Sequence, residues 1–205
     1  MNEAHNLFIN TSERNHLLAQ YYAGLCYQSG YGTTKNDRLA FEYFEKVANE
    51  DWAIGQLQMG YCYDKGVGTE SNLEMAASYY EKSANKGNII AKYNLGNCYR
   101  LGKGVNKDDK RAFELFEQLA KKDHLCGIAM LGFCYSNGIG TDVDKEKAFE
   151  LYQKATNLED CVAQYNLAEM YEKGDGIGKD VNKAIDWYKN LPNKEIGMHK
   201  INIKT

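Results

Sequence analysis

Apolar and small side chains recur along the chain at steps of three and four residues, which is the spacing of one face of an α-helix. The pattern runs through residues 54–63, stops at Gly66-Val67-Gly68, and resumes over residues 75–84. Glycine at the end of a helix adopts the left-handed conformation at little steric cost. The pattern therefore predicts two helices joined by a short turn that contains two glycines.

The same pattern returns every 36 residues without an insertion or deletion. In the first helix of each repeat a small residue is followed three positions later by tyrosine, at Gly24, Gly60, Gly96, Gly132 and Ala168 and at Tyr27, Tyr63, Tyr99, Tyr135 and Tyr171. The two turn glycines recur at Gly30, Gly66, Gly102, Gly138 and Gly174 and at Gly32, Gly68, Gly104, Gly140 and Gly176. Five equal helix-turn-helix repeats are therefore predicted, and these positions account for most of the 19 glycines in the chain.

A capping residue precedes the second helix of each repeat. The side-chain oxygen of Asn or Asp can accept a hydrogen bond from a free amide of the first helical turn, which stabilises a helix by about 1 kcal/mol. The five capping residues are Asn36, Asn72, Asp108, Asp144 and Asp180. An alanine and an aromatic residue follow each cap on one helix face and are predicted to be buried: Ala40, Ala76, Ala112, Ala148 and Ala184, with Phe44, Tyr80, Phe116, Tyr152 and Tyr188.

The five repeats extend over residues 17–191. Residues 1–16 match the second helix of an incomplete repeat, because Ala4 and Phe8 lie one period before Ala40 and Phe44. Proline cannot continue a helix, so Pro192 is expected to end the last helix early. Residues 192–205 are expected to form a tail or an aborted helix.

Charge and hydropathy exclude several classes of function. The net charge is −3, from 25 basic and 28 acidic residues, so bulk electrostatics predict no binding to nucleic acid or to an anionic membrane. No stretch approaches the roughly 20 apolar residues that a membrane span needs. The first residues also lack the basic and apolar regions of a secretory signal. The expected location is the cytoplasm, where the six cysteines stay reduced.

Four of the cysteines share one repeat position: Cys26, Cys62, Cys98 and Cys134. Equivalent points on stacked helices lie about 8–10 Å apart, which exceeds the roughly 7 Å between Cα atoms that a disulfide can span. We therefore expect these side chains to pack in the core. Cys126 and Cys161 fall at apolar positions of the repeat and are expected to pack as well.

No catalytic, metal-binding or cofactor-binding motif is visible. The four histidines lack the spacing of metal ligands. The turn glycines follow no strand and precede no Gly-Lys-Ser/Thr sequence, which separates them from phosphate-binding loops. No nucleophile elbow of a hydrolase is present. The sequence predicts a protein that is not an enzyme and that binds neither a metal nor a cofactor.

One repeat shows the full pattern of a known family. Tyr93-Asn94-Leu95-Gly96, then Tyr99, Gly102 and Gly104-Val105, then Asp108, Ala112 and Phe116, resembles the Sel1-like repeat, which is related to the tetratricopeptide repeat. The resemblance covers residues 17–191, with departures such as Ala168 in place of glycine. It implies an all-α fold, a right-handed αα-superhelix of five 36-residue helix-turn-helix repeats with partial repeats at both ends. It also implies an adaptor that holds other proteins together.

By analogy with the tetratricopeptide superhelix, the first helices line its inner surface. Three positions of each first helix should face that surface, and we call them the inner-face positions. They hold Tyr22, Leu25 and Gln28; Gln58, Tyr61 and Asp64; Asn94, Asn97 and Arg100; Met130, Phe133 and Ser136; Asn166, Glu169 and Glu172. Aromatic, amide and arginine side chains in this set suit a groove that binds a peptide. The alternative is that they bind nothing or pack between repeats.

The predicted partner-binding residues are Tyr22, Leu25, Gln58, Tyr61, Asn94, Asn97, Arg100, Met130, Phe133, Asn166 and Glu169. The leading hypothesis is a non-catalytic adaptor whose inner face binds a protein segment. A second hypothesis is a spacer or regulatory arm of a larger protein, such as a kinase or another multidomain protein. A third is a hydrolase. The sequence does not determine the oligomeric state.

Overall fold

The computed structural model describes residues 16–156 and 161–191. This part of the chain contains ten α-helices and no strand, as the all-α prediction requires. The helices are α1 Leu17–Ser29, α2 Asp37–Asn49, α3 Ala53–Lys65, α4 Leu73–Asn85, α5 Ile89–Leu101, α6 Asp109–Ala120, α7 Leu125–Asn137, α8 Lys145–Thr156, α9 Cys161–Lys173 and α10 Val181–Lys189. Odd-numbered helices are the first and even-numbered helices the second of their repeats. The incomplete repeat expected in residues 1–16 and the tail expected in residues 192–205 lie outside the described residues, apart from His16.

The chain divides into two compact units. The N-terminal unit ends at Lys107 and contains α1 to α5, and the C-terminal unit begins at Asp108 and contains α6 to α10. Within each unit every helix packs against the next one along the chain. Each unit is therefore built from nearest-neighbour contacts, as expected of stacked repeats.

The five predicted N-caps are all present. Their side-chain oxygens accept hydrogen bonds from the backbone amides three residues later, at 2.9–3.0 Å. The donors are Leu39, Met75, Arg111, Lys147 and Lys183. The last helix, α10, ends at Lys189 after only nine residues, in agreement with the early end predicted from Pro192.

The two turn glycines have different roles. The first caps its helix in the left-handed conformation, as at Gly66 with φ 69°. The second, Gly68, also has φ 69°, and a Cβ atom there would lie 2.1 Å from the carbonyl oxygen of Asp37 in the preceding repeat. Gly140 has the same relation to Asp109, at 2.2 Å. The second turn glycine thus packs against the first residue of the preceding repeat's second helix. We call the four glycines with this contact the seating glycines: Gly68, Gly104, Gly140 and Gly176.

Glycines inside the first helices admit the aromatic rings of the second helices. A Cβ atom on Gly60 would lie 2.6 Å from the ring of Tyr80, and one on Gly24 would lie 2.5 Å from the ring of Phe44. Both rings are almost fully buried. Glycine in a helix interior costs about 1 kcal/mol, and this close packing offsets that cost.

The four cysteines at the shared repeat position are buried free thiols, as predicted. The packing prediction for Cys126 is confirmed in part, because its side chain is half-buried. The equivalent residues Ile90 and Val162 are 59% and 57% exposed, so neighbouring helices cover this side of the first helix to different degrees. The side chain of Cys161 lies outside the described part of the structure.

Candidate functional site

The inner-face positions are mostly half-buried side chains that belong to no single cluster. Tyr22 and Tyr61 are the more exposed ones, at 40% each. Leu25 instead packs against a core cluster that includes Phe44 and Met59. The alternative of packing between repeats therefore describes Leu25 better than a role in binding.

A shallow depression in the N-terminal unit combines inner-face residues from two neighbouring repeats. Asp64 from α3 lies beside Asn94 and Asn97 from α5, and the buried Tyr80 forms part of the wall. The volume is about 80 Å³. We call this site the N-terminal depression. Its polar groups include two amides, a carboxylate, a phenol and the ammonium group of Lys103, which can form hydrogen bonds with a peptide.

Asn97 is engaged by its own helix. Its side-chain oxygen accepts hydrogen bonds from the Arg100 guanidinium at 3.1 and 3.2 Å, and its amide nitrogen donates to the carbonyl of Tyr93 at 3.3 Å. Arg100 is not among the residues that line the N-terminal depression. Two predicted binding residues, Asn97 and Arg100, are therefore bonded to each other, and Asn97 orients the arginine.

A larger depression of about 140 Å³ lies in the C-terminal unit. It is lined by inner-face residues of α7, namely Phe133 and Ser136, and of α9, namely Asn166 and Glu169. The buried Tyr152 from α8 contributes to the wall. We call this site the C-terminal depression. It occupies the same repeat positions as its N-terminal counterpart, two repeats further along the chain.

Sequence analysis missed two cations in the C-terminal depression, Lys145 and Lys173. Lys145 begins the second helix α8, and its ammonium group donates to Asp175 at 2.6 Å and to Ser136 at 3.3 Å. Its side chain is 29% exposed. The other second helices begin with Asp, Leu or Val, so the lysine departs from the repeat pattern. This departure from the repeat pattern was the only feature of the sequence that could have pointed to Lys145.

The carboxylates of α9 are held by tyrosine hydroxyls. Tyr165 donates to Glu169 at 3.3 Å, and Tyr188 donates to Glu172 at 2.7 Å. Burial, together with the hydrogen bond to Glu172, raises the pKa of Tyr188. The phenol therefore stays protonated and keeps Glu172 in place at neutral pH.

Two tyrosines of the core also reach the surface of the depressions. Tyr80 and Tyr152 are only 3% and 1% exposed, yet each lines one depression. Burial raises the pKa of both phenols, so they remain protonated and able to donate a hydrogen bond. The equivalent residues Phe44 and Phe116 lack a hydroxyl. The presence of tyrosine in place of phenylalanine at Tyr80 and Tyr152 was therefore a signal in the sequence for a hydroxyl group that can donate a hydrogen bond at these positions.

Cys62 and Cys98 are not poised for nucleophilic chemistry. Burial raises the pKa of the Cys62 thiol to about 12 and that of the Cys98 thiol to about 11. A thiol is reactive as the thiolate, so these groups are inert at neutral pH. Among residues 16–156 and 161–191, no three His, Cys, Asp or Glu side chains are grouped as metal ligands.

A separate open groove of about 510 Å³ in the N-terminal unit has paired polar groups. It is lined by residues that include Asn49, Asp51, Gln56 and Lys86. Asp51 accepts hydrogen bonds from Lys86 at 2.5 Å and from Gln56 at 2.8 Å, which links two repeats. The amide oxygen of Gln56 has no partner within the described residues but is sealed from solvent, so a ligand in the groove does not reach it. This groove is a packing junction.

The model of the Sel1 repeat family matches the chain five times. The matched residues are 17–51, 53–88, 89–124, 127–160 and 161–190. The chain belongs to the Sel1 repeat family. The resemblance drawn from the sequence is confirmed, and each matched segment of this Sel1 repeat protein covers one first helix and one second helix, except that the fourth begins two residues inside α7.

Solved structures of Sel1 repeat proteins are similar to the chain. A Sel1 repeat protein from Oxalobacter formigenes is 30% identical with a TM-score of 0.76, over 86% of this chain and 72% of its own. A protective antigen of uropathogenic Escherichia coli, with an SLR fold, is 25% identical with a TM-score of 0.79 over 95% of this chain. The chain spans only 42% of that antigen. These neighbours confirm the solenoid fold class.

A more distant structure shares the fold alone. An immunity protein from Pseudomonas aeruginosa is 19% identical with a TM-score of 0.56, over 97% of this chain and 71% of its own. A search of curated proteins gave no match. Within the described residues of this Sel1 repeat protein, every helix is too short or too polar to cross a bilayer.

Proposed function

We propose that this Sel1 repeat protein is a non-catalytic adaptor that binds a segment of a partner protein at its inner-face positions. Sel1 repeat proteins are generally scaffolds for protein interactions. The observation that supports the proposal most directly is the recurrence of a depression at the same repeat positions in both units. Each unit thus has its own depression, built from the same repeat positions, in which a group of a partner segment can bind.

The size and chemistry of the depressions favour side chains of a protein over a small molecule. Their volumes of about 80 and 140 Å³ fall below the roughly 300–1,000 Å³ of small-molecule pockets. Asn94 and Asn166 offer an amide donor and acceptor each, which match the two groups of a peptide bond. Phe133 adds an aromatic surface of the kind that anchors interfaces. The free thiols of the described cysteines suit the reducing cytoplasm as the proposed location.

The proposal is tested by selecting binders from a display library of random 12-residue peptides. Selected peptides are then synthesised and titrated against Asn94→Ala with Asn97→Ala, and against Phe133→Ala with Asn166→Ala. The matched control is Glu114→Ala with Glu150→Ala, because both glutamates are exposed on second helices. At least one inner-face pair is expected to weaken binding by about tenfold or more, whereas the control pair leaves it unchanged.

The same logic applies to a natural partner. Arg100→Glu with Phe133→Ala is expected to abolish capture of the partner while helicity and melting temperature stay unchanged. If the library yields no binder, or if binding survives the variants of both inner-face regions, the proposal is wrong. A spacer arm without a ligand would then explain the chain better.

A further inference from the structure

The C-terminal depression contains two ion pairs that differ in distance and in exposure. Lys145 and Asp175 are 2.6 Å apart, and their side chains are 29% and 39% exposed. Glu169 and Lys173 are 3.5 Å apart, and Lys173 is 59% exposed while Glu169 is 27% exposed. The first pair is close and also bonded to Ser136. The second pair is loose, and its cation is mostly in solvent.

The ion pair between Glu169 and Lys173 can be replaced by another pair at little cost in free energy. An exposed ion pair contributes about 0–1 kcal/mol, because solvent screens the charges and the long side chain loses freedom. Tyr165 holds the Glu169 carboxylate at the depression independently of Lys173. A cation supplied by a ligand can therefore replace Lys173 beside a carboxylate that is already in position.

The aromatic part of the depression's lining suits the same cation. Phe133 lines it from α7, and Glu169 lines it from α9. A guanidinium or ammonium group is attracted to the face of an aromatic ring. Arginine can in addition form two parallel hydrogen bonds with a carboxylate. A ring from α7 and a carboxylate from α9, which line the same depression, thus provide both interactions.

This inference rests on the proposed function and specifies its ligand. We propose that the C-terminal depression binds a basic side chain, arginine or lysine, of the partner segment between the ring of Phe133 and the carboxylate of Glu169. The Sel1 repeat protein is thereby selective for a segment with a cation at this position.

An acidic side chain fits the depression poorly. Lys145 is already paired with Asp175 at 2.6 Å, so the accessible counter-ion is Lys173, and an acid bound there would lie beside the Glu169 carboxylate, which Tyr165 holds in place. The acid would thus add a negative charge next to Glu169, on a helix that carries Glu172 one turn further along. Juxtaposed like charges oppose binding. The geometry therefore discriminates between the two charge types.

The test uses one of the selected 12-residue peptides and its variant in which the basic residue is replaced by glutamine. Wild-type protein is expected to bind the basic peptide at least about tenfold more tightly than the glutamine peptide. In Glu169→Gln the difference is expected to fall below about twofold, because the peptide cation has lost its partner. Glu150→Gln, with the same charge change on an exposed site of α8, should retain the full difference.

A second variant separates a binding role from a merely structural one. Lys173→Ala removes the competing internal cation and is expected to raise the affinity for the basic peptide, by up to about fivefold. A residue that only supported the fold would not improve binding when its partner is removed. Circular dichroism and melting temperatures establish that each variant is folded.

The outcomes distinguish the two proposals. If the library yields no binder, the proposed function fails, and this inference fails with it. If binders depend on Phe133 and Asn166 but show no basic residue and no coupling to Glu169, the adaptor function holds and the cationic subsite is wrong. A basic residue in the selected peptides that couples to Glu169, together with tighter binding by Lys173→Ala, supports both.

Discussion

Two aspartates combine an unusual backbone conformation with an ion pair between repeats. Asp51 and Asp123 occupy the turn after a second helix with φ of 61° and 56°, in the conformation that glycine adopts at the equivalent Gly87. Their carboxylates bind Lys86 and Lys154 of the next repeat. The sequence showed glycine at only one of these turns. Aspartate tolerates the left-handed region better than most residues, and the inter-repeat ion pair gives it a second role there.

Tyr99 provides a measure of core packing at this scale. It is 9% exposed. Tyr99→Ala is expected to lower the free energy of unfolding by about 3–5 kcal/mol, as aromatic truncations in cores do. Urea denaturation measures the change. Tyr31→Ala is the control, because Tyr31 is 62% exposed and its loss should have little effect. A change below about 1 kcal/mol for Tyr99→Ala would contradict its burial.

The buried thiols predict a loss of stability at alkaline pH. The pKa of Cys62 rises from 9.0 to about 12 and that of Cys98 from 9.0 to about 11 on folding. Above pH 9 the unfolded chain releases these protons first, so the free energy of unfolding falls as the pH rises towards 11 or 12. Each thiol contributes a slope of up to about 1.4 kcal/mol per pH unit in this window.

Urea titrations between pH 8 and 11 test this slope in the wild-type chain and in Cys62→Ala with Cys98→Ala. The double variant should lose less stability between pH 9 and 11, although its buried tyrosines still titrate. Identical slopes in the two proteins would show that the thiols do not couple to folding.

At the scale of helices and turns, the local signals and the structure agree closely. Each N-cap could be predicted because its hydrogen bond is formed within four residues of sequence. The first turn glycine could be predicted for the same reason. The role of the seating glycine could not, since its contact is to a residue of the preceding repeat, such as Asp37 for Gly68. Two glycines in one turn suggested turn chemistry alone, whereas the second also allows close packing between repeats.

The seating contact makes a specific prediction. Gly68→Ala combines a positive φ, which costs about 1–2 kcal/mol for a residue with a Cβ atom, with a clash against the Asp37 carbonyl that adds about 1–3 kcal/mol. Gly87→Ala is the matched control, because φ is 86° but no atom lies within 4 Å of its Cβ position. Chemical denaturation should therefore show a loss of about 1–2 kcal/mol for Gly87→Ala and a clearly larger loss for Gly68→Ala. Equal losses would mean that the turn shifts freely and that the contact is unimportant.

At the scale of the whole chain, stability is distributed over stacked repeats in two units. In such an array each repeat depends on its neighbours, so damage remains local. The period of 36 residues revealed this organisation in the sequence, but it did not reveal the division at Lys107. That division reflects how residues pack within each unit, and a repeat pattern in the sequence carries no information about such packing.

The cap of the last helix tests this locality. Asp180→Ala removes the hydrogen bond to the Lys183 amide and should destabilise α10 by about 1 kcal/mol. Amide hydrogen exchange is expected to become about fivefold faster in α10 and α9 and to stay unchanged in α7. A uniform increase across the C-terminal unit would show that it unfolds as one cooperative block.

The candidate site was predictable only in part. Helical spacing placed Asn94, Asn97, Phe133, Asn166 and Glu169 on one face, and these residues line the depressions. Spacing does not indicate how far the next helix covers that face. Leu25 was therefore listed as a binding residue, although it packs against the core cluster that includes Phe44 and Met59. Nor does it reveal a side chain such as Lys145, which reaches the depression from a neighbouring helix. Whether these residues bind a partner stays a prediction.

The seating glycines also constrain how such a chain can change in length. Each one packs against the first residue of the preceding second helix, so adding or removing a few residues between two of them would move the next glycine away from that contact. Duplication of a complete 36-residue segment would instead recreate the same junction on both sides. Evolution by unequal recombination is therefore expected to lengthen or shorten this protein in whole modules, and an engineer can add binding modules by the same rule.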